Sequence, residues 1–196
     1  MTPSASNGQD YLFRINYNPQ SNVKIYAQIR KKTKELNTID SDTGRTIVLP
    51  STKKLYVISI DFNVTSDLNL KSKVQSSDFS INERKTSGIA FIQDVNFRVG
   101  DWSFSGRIAL FDTEGAENRQ YAYERDVLYA FSIPAYSGRG VRNYFLVQYK
   151  LGRKIDIWSR IARTTYYDRY AIGNSLETID GDKQTELKLQ LRYKVG

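Results

Sequence analysis

The chain has 196 residues, 40% of them hydrophobic, with 29 Lys or Arg against 21 Asp or Glu and a formal charge of +8. It contains neither cysteine nor histidine, which excludes a disulfide framework, thiolate or histidine metal sites, and Ser-His-Asp catalysis within the chain. Mean hydropathy is −0.52 and no apolar run approaches the ~18 residues of a membrane helix, so a helical span is excluded too.

The positive charge admits nucleic acid or an acidic surface as a partner, although most basic faces are simply solvated. Fourteen Tyr, nine Phe and two Trp suit a membrane barrel, whose aromatic rings collect at both bilayer interfaces, and equally suit any strand-rich fold. No apolar segment of a secretory leader follows Met1.

Residues 1–9 are small and polar without periodicity and predict a disordered lead; residues 10–196 predict the barrel itself. Tyr11, Phe13, Ile15 and Tyr17 alternate with Leu12, Arg14 and Asn16, the two-residue period of a strand. Turn chemistry at Asn18–Asn22 leads to a second strand with Val23, Ile25, Ala27 and Ile29 on one face and Lys24, Tyr26, Gln28 and Arg30 on the other. The run from Lys31 to Lys54 is a long polar excursion and predicts a loop. Tyr56, Ile58, Ile60, Phe62 and Val64 form the apolar row of a third strand; Leu68, Leu70 and Val74 form a weaker fourth, ending in a polar loop near Ser80.

Ile89, Phe91, Val95, Phe97 and Val99 make a fifth row opposed by Asp94, Asn96 and Arg98. A tight turn at Gly100-Asp101 leads into Trp102, Phe104, Ile108 and Leu110, with Ser103, Ser105 and Arg107 facing away. Val141, Phe145, Val147, Tyr149 and Leu151 alternate with Arg142, Tyr144, Gln148 and Lys150. A turn at Gly152-Arg153 then brings in Ile155, Ile157 and Ile161, opposed by Asp156, Trp158 and Arg160. The last strand is the clearest. Thr185, Leu187, Leu189, Leu191, Tyr193 and Val195 share one side, and Gln184, Glu186, Lys188, Gln190, Arg192 and Lys194 the other. At about 11 residues it is long enough to cross a bilayer at a tilt.

Connections at Asn18, Ser66, Gly100 and Gly152 are short, and those near Asn37, Ser80, Gly115 and Asn174 are long. That segregation is the habit of outer-membrane barrels, with short turns on one side and long loops on the other. Parity holds only if residues 112–140 form one excursion, external or folded into the lumen, rather than a wall strand. Arg125 interrupts the apolar row of Tyr121, Tyr123, Val127, Tyr129, Phe131 and Ile133, and Pro134 removes a ladder donor. The fold class is therefore all-β, an antiparallel up-and-down meander forming a transmembrane β-barrel or the C-terminal part of one, with about 9–10 strands. An odd count of wall strands implies missing barrel strands upstream.

The run YAYERDVLYAFSIPAYSGRG at Tyr121–Gly140, with ALFDT before it and YDRYAIGNSLETIDGDKQTELKLQLRYK after, resembles the C-terminal β-barrel region of Gram-negative outer-membrane proteins that carry helix-hairpin-helix segments upstream. The resemblance covers roughly Gly88 to Lys194. It implies an outer-membrane location in a Gram-negative bacterium and a possible link to DNA through the upstream module, which this sequence does not contain. The ending departs from barrel habit, since Tyr193 is followed by Lys194, Val195 and Gly196 rather than closing on an aromatic residue.

No constellation argues for catalysis, a metal or a cofactor. Glu124 and Asp126 flank Arg125 and read as solvated ion pairs worth ~0–1 kcal/mol, and Gly138-Arg139-Gly140 lacks the Lys-Ser/Thr of a phosphate loop and reads as a turn. With the apolar rows facing lipid, Arg98, Arg107, Arg142, Lys150, Arg160, Lys188 and Arg192 form a candidate basic lumen, opposed by Asp61, Asp94, Asp156 and Glu186. Tyr121, Tyr123, Arg125, Tyr129 and Tyr136 are candidate contact residues on the excursion. The function expected is that of a non-enzymatic barrel segment in transport or envelope machinery, partnered by the lipid bilayer, by missing strands or other envelope proteins, and possibly by nucleic acid, with no small-molecule substrate. The competing expectation is a soluble all-β module binding polyanions through a basic, aromatic face.

Overall fold

A computed structural model describes residues 7–39, 44, 46–173 and 178–195. Nine long strands form one antiparallel sheet: β1 (Gly8–Gln20), β2 (Val23–Ile39), β3 (Thr46–Asn63), β4 (Leu68–Ile81), β5 (Arg84–Val99), β6 (Trp102–Thr113), β9 (Gly138–Leu151), β10 (Ile155–Tyr166) and β13 (Lys183–Tyr193). Their order across the sheet is their order along the chain, an up-and-down meander whose outer strands are β1 and β13. The sheet is open: among the described residues, neither outer strand has a second partner. Four two-residue strands make two small ribbons outside it, β7 (Gln120–Tyr121) with β8 (Ala135–Tyr136) and β11 (Ala171–Ile172) with β12 (Ile179–Asp180).

Cross-strand register carries the side-chain alternation through the whole sheet. Ile25 faces Ile60, Ile60 faces Ser72, Ser72 faces Gln93, Gln93 faces Ile108, Ile108 faces Asn143, Asn143 faces Arg163 and Arg163 faces Thr185. Since successive residues point to opposite sides, this register puts every apolar row on the same face. That face is uncovered. Leu187, Leu189 and Leu191 are 73%, 78% and 65% exposed, and Phe13, Ile15, Ile29, Ile58, Phe91 and Phe145 are exposed as well.

The packed core lies on the other, polar face. Ala90, Ile92, Ala109 and Phe111 of the sheet bury against Ala122 and Tyr136, while Tyr144, Leu146, Trp158 and Ala162 bury against Val127 and Leu128. Both clusters exist because residues 114–137, between β6 and β9, fold back as a strap across the polar face. Since β6 pairs directly with β9 from Trp102↔Tyr149 to Thr113↔Gly138, the turns at Gly100 and Gly152 sit at the same end of the sheet. Tyr121 to Ile133 does not pair along its length with a sheet strand; its backbone pairing is confined to β7–β8 and the bridge Glu124↔Ser132.

Several sequence expectations change. Lys31–Ile39 and Thr46–Lys54 are strand rather than loop, paired residue by residue from Lys31↔Lys54 to Ile39↔Thr46. Polar residues dominate this hairpin, so it lacks a continuous apolar row and alternation could not reveal it. The loop near Ser80 is a two-residue turn, Asn82-Glu83, with Asn82 at φ 50°; Asn tolerates that left-handed conformation and closes tight hairpins. Gly8 and Gln9 belong to β1 opposite Lys34 and Thr33, and the rest of the expected disordered lead, 1–6, lies outside the described residues. So does part of the loop at Asn174, since 174–177 are not described. Gly138-Arg139-Gly140 is not a turn but the start of β9, with Gly138 at φ 80° where the strap rejoins the sheet.

Candidate functional site

The site is the contact between the strap and the polar face, and small residues in the sheet make room for it. A Cβ on Gly88 would lie 2.9 Å from both Cβ and the carbonyl oxygen of Asn118, so only glycine lets the strap approach this closely. Asn118 closes a 3-10 turn at Ala116–Asn118 and is fully buried. Its amide nitrogen donates to Thr86 Oγ1 at 2.7 Å, and its Oδ1 accepts from Ser77 Oγ at 3.0 Å. Gln120 Nε2 donates to Ser77 Oγ at 2.7 Å and to the Asn118 carbonyl at 2.9 Å. Lys53 Nζ donates to the Glu117 carbonyl. The first third of the strap is thus held by neutral hydrogen bonds to β4 and β5 and by an ammonium–carbonyl bond from β3.

Its centre is held by charge. Glu124 is fully buried, and its carboxylate accepts from Arg142 Nε and Nη2, each at 2.9 Å, from Arg160 Nη2 at 2.6 Å and from the Tyr136 hydroxyl at 3.3 Å. Arg142 also donates to Thr164 Oγ1 at 2.9 Å, and Arg160 to the Arg125 carbonyl at 3.1 Å. Asp126 accepts from Lys188 Nζ at 2.7 Å, and Lys188 also pairs with Glu186 at 2.7 Å. Arg107 forms a two-point pair with Asp94 at 2.5 and 2.8 Å. Its guanidinium and that of Arg160 lie over the Tyr144 ring, at 5.7 and 5.1 Å from the centroid. Bidentate, charge-assisted bonds of this kind are the strong ones in a dry setting.

Glu124 and Asp126 are therefore not solvated ion pairs. A buried arginine with no counter-charge would cost several kcal/mol, and the strap supplies that charge to Arg142 and Arg160 together. Burial pushes the Tyr136 hydroxyl up from its ordinary range, and the charge of Glu124 pushes the same way, which keeps it a proton donor. The ring of Tyr136 stacks on Phe111 at 5.4 Å. Beyond the strap, in the connection after β10, Arg169 lies over the Tyr166 ring at 4.3 Å, donates to the Ser137 carbonyl at 3.1 Å and holds Asp168 below the usual carboxylate range.

Of the candidate basic residues, Arg107, Arg142, Arg160 and Lys188 are brought together under or beside the strap, and Arg192 pairs with Asp156 at 2.5 Å over the Trp158 ring. Arg98 and Lys150 are exposed near the short-turn end and have no carboxylate partner among the described residues. The charge on the β6–β13 half of the polar face is largely matched, because Glu124 and Asp126 add to the carboxylates already on the strands. Of the candidate strap residues, Tyr136 and Arg125 dock: the Arg125 amide donates to the Tyr144 hydroxyl and its Nη1 to Ser105 Oγ, both at 3.3 Å. Tyr121 and Tyr123 are exposed, Tyr123 packing on Phe131 at 5.5 Å, and Tyr129, at φ 64°, is 90% exposed with its hydroxyl beside Arg192. Asn118 and Gln120 carried no sequence signal beyond ordinary loop polarity. No group of acidic residues suited to a metal ion occurs among the described residues.

No family model and no curated protein matches the chain. Among solved structures, CdiB from Acinetobacter baumannii is similar over 97% of this chain and 45% of its own, at 11% identity and a TM-score of 0.40. The chain spans under half the length of that structure, and a likeness so loose assigns neither family nor function.

Proposed function

We propose that the chain is a non-enzymatic wall segment of an outer-membrane β-barrel, serving transport or envelope machinery, with the strap lodged as a plug on the luminal side. The observation that carries the proposal is the inverted distribution of polarity. The face with no covering element carries an apolar row on every strand, interrupted by such residues as Ser72, Gln93, Asn143 and Ser159, and the face that is covered holds buried ion pairs. A soluble sheet does the reverse, because exposed apolar patches of this extent draw association. The apolar row from Ile89 to Val99 runs about 33 Å along β5, or ~25 Å along the normal at a ~40° tilt, the height of a barrel's lipid band. At the short-turn end the row closes on aromatic rings, with Trp102 stacked on Tyr149 at 4.2 Å and Phe104 at 6.1 Å. At the other end it gives way to Lys31, Lys54, Arg139, Arg163 and Lys183.

In lipid an open sheet edge cannot be left unpaired. Strands β1 and β13 run in the same direction, since each step across the nine alternates. An odd number of further strands between them keeps the closure antiparallel throughout. Those strands are the partner this reading requires. The link to DNA suggested by the resemblance belongs to a helix-hairpin-helix module and gains no support from the sheet itself.

The test is the assignment of faces in the last strand. Leu189→Arg, facing the bilayer near its middle, should cost roughly 2–4 kcal/mol in folding into lipid vesicles, and Gln190→Arg close to nothing. Equal costs, or a wild-type chain that stays monodisperse without detergent, would make the sheet a soluble module instead.

A further inference from the structure

The strap matches charge on one half of the polar face only. On the other half, β2 carries Arg30, Lys32 and Lys34 on the strap side, and antiparallel pairing sets Lys32 directly opposite Lys53 of β3. Like charges in that relation repel and destabilise the pair. The sequence repeats the arrangement on the opposite face, where Lys31 faces Lys54. Between these strands and β7, which lies over β4 and β5, is a cleft of about 260 Å³ lined by Arg30, Lys32, Lys53 and Arg119, with Gln75 and Tyr121 among the remaining lining residues. No carboxylate lines it. Asp10 lies behind Arg30 and is already bound to it at 2.5 Å, and Glu117 lines the neighbouring hollow with Lys32, Lys34 and Lys53, its carboxylate 3.9 Å from Arg84 and its carbonyl accepting from Lys53 Nζ. Lys32 and Arg119 have no ion-pair partner among the described residues.

We infer that this cleft is a binding site for a diphosphate group. Lys32 from the sheet and Arg119 from the strap are the two uncommitted cations, and with Arg30 and Lys53 beside them they provide charge-assisted bonds to several phosphate oxygens at once. A bound diphosphate also turns the Lys32–Lys53 repulsion into attraction through a shared anion. The cleft lies on the polar face beneath the strap, so it accepts a diphosphate from solution rather than one on a lipid headgroup. The inference uses only the strap and the β2–β3 pairing and stands whether or not the opposite face meets a bilayer.

The test is calorimetric titration of the full chain in detergent micelles with inorganic pyrophosphate, alongside orthophosphate and mixed micelles containing phosphatidylglycerol. Pyrophosphate should bind more tightly than orthophosphate, and added salt should weaken it. K32Q and R119Q should each weaken binding roughly tenfold, while K150Q, at an exposed cation far from the cleft, should leave it unchanged. Without ligand, K32Q should melt at or above the wild-type temperature, because it relieves repulsion. No pyrophosphate binding, binding lost equally in K150Q, heat only from the lipid micelles, or a destabilised K32Q would each overturn the inference.

Discussion

Glu124 is the residue on which the strap turns. One carboxylate makes the shortest bonds to two buried guanidiniums, so its removal weakens the pairing of both at once, leaving Arg160 to Asp126 at 3.8 Å and Glu186 at 3.4 Å and Arg142 to Glu186 at 3.9 Å. Glu124→Gln should cost about 3–5 kcal/mol in urea unfolding in micelles, the range for breaking a buried pair from one side, while Lys150→Gln should stay within ~0.5 kcal/mol. Equal midpoints would mean that water reaches the cluster. In sequence the triplet Glu124-Arg125-Asp126 looks like an ordinary solvated charge run, because the groups that bury it lie 18 and 36 residues away, at Arg142 and Arg160. Spacing along a strand shows which face a residue occupies, not what is delivered to that face from elsewhere. The same limit hid Asn118 and Gln120, whose partners Ser77 and Thr86 sit on β4 and β5.

At the scale of elements, the strap is a docked segment whose seat depends on absent side chains. Gly88→Val would drive a methyl group into Asn118, and the first turn of the strap should lift. Limited trypsin digestion at Arg119 and Arg125 should run about tenfold faster in that variant, equivalent to ~1.4 kcal/mol of easier local opening, with strand cleavage unchanged. Unaltered strap cleavage would show that the close approach at Gly88 is not what seats it. Strands with one apolar row were legible from alternation alone, β13 above all, because a two-residue period assigns both element and face. The hairpin from Lys31 to Lys54 was not, since the polar residues that dominate it leave no continuous apolar row to read. The strap was legible only as an interruption: Arg125 within an apolar row and Pro134 after it mark a segment unfit for the wall without saying where it goes.

At the scale of the molecule, the sheet's two faces have exchanged the roles they hold in a soluble protein, and the chain carries a natural reporter on each. Its two tryptophans are divided between them: Trp102 on the apolar face, 43% exposed, and Trp158 on the polar face, 5% exposed and covered by Arg192. A chain whose apolar face meets lipid must bring the first, and only the first, into contact with acyl chains. The decisive measurement is fluorescence quenching by brominated lipid in vesicles, with W158F reporting Trp102 alone and W102F reporting Trp158 alone. Strong quenching of Trp102 with Trp158 left bright is the expected result; equal quenching of the two, or none of Trp102, would contradict it.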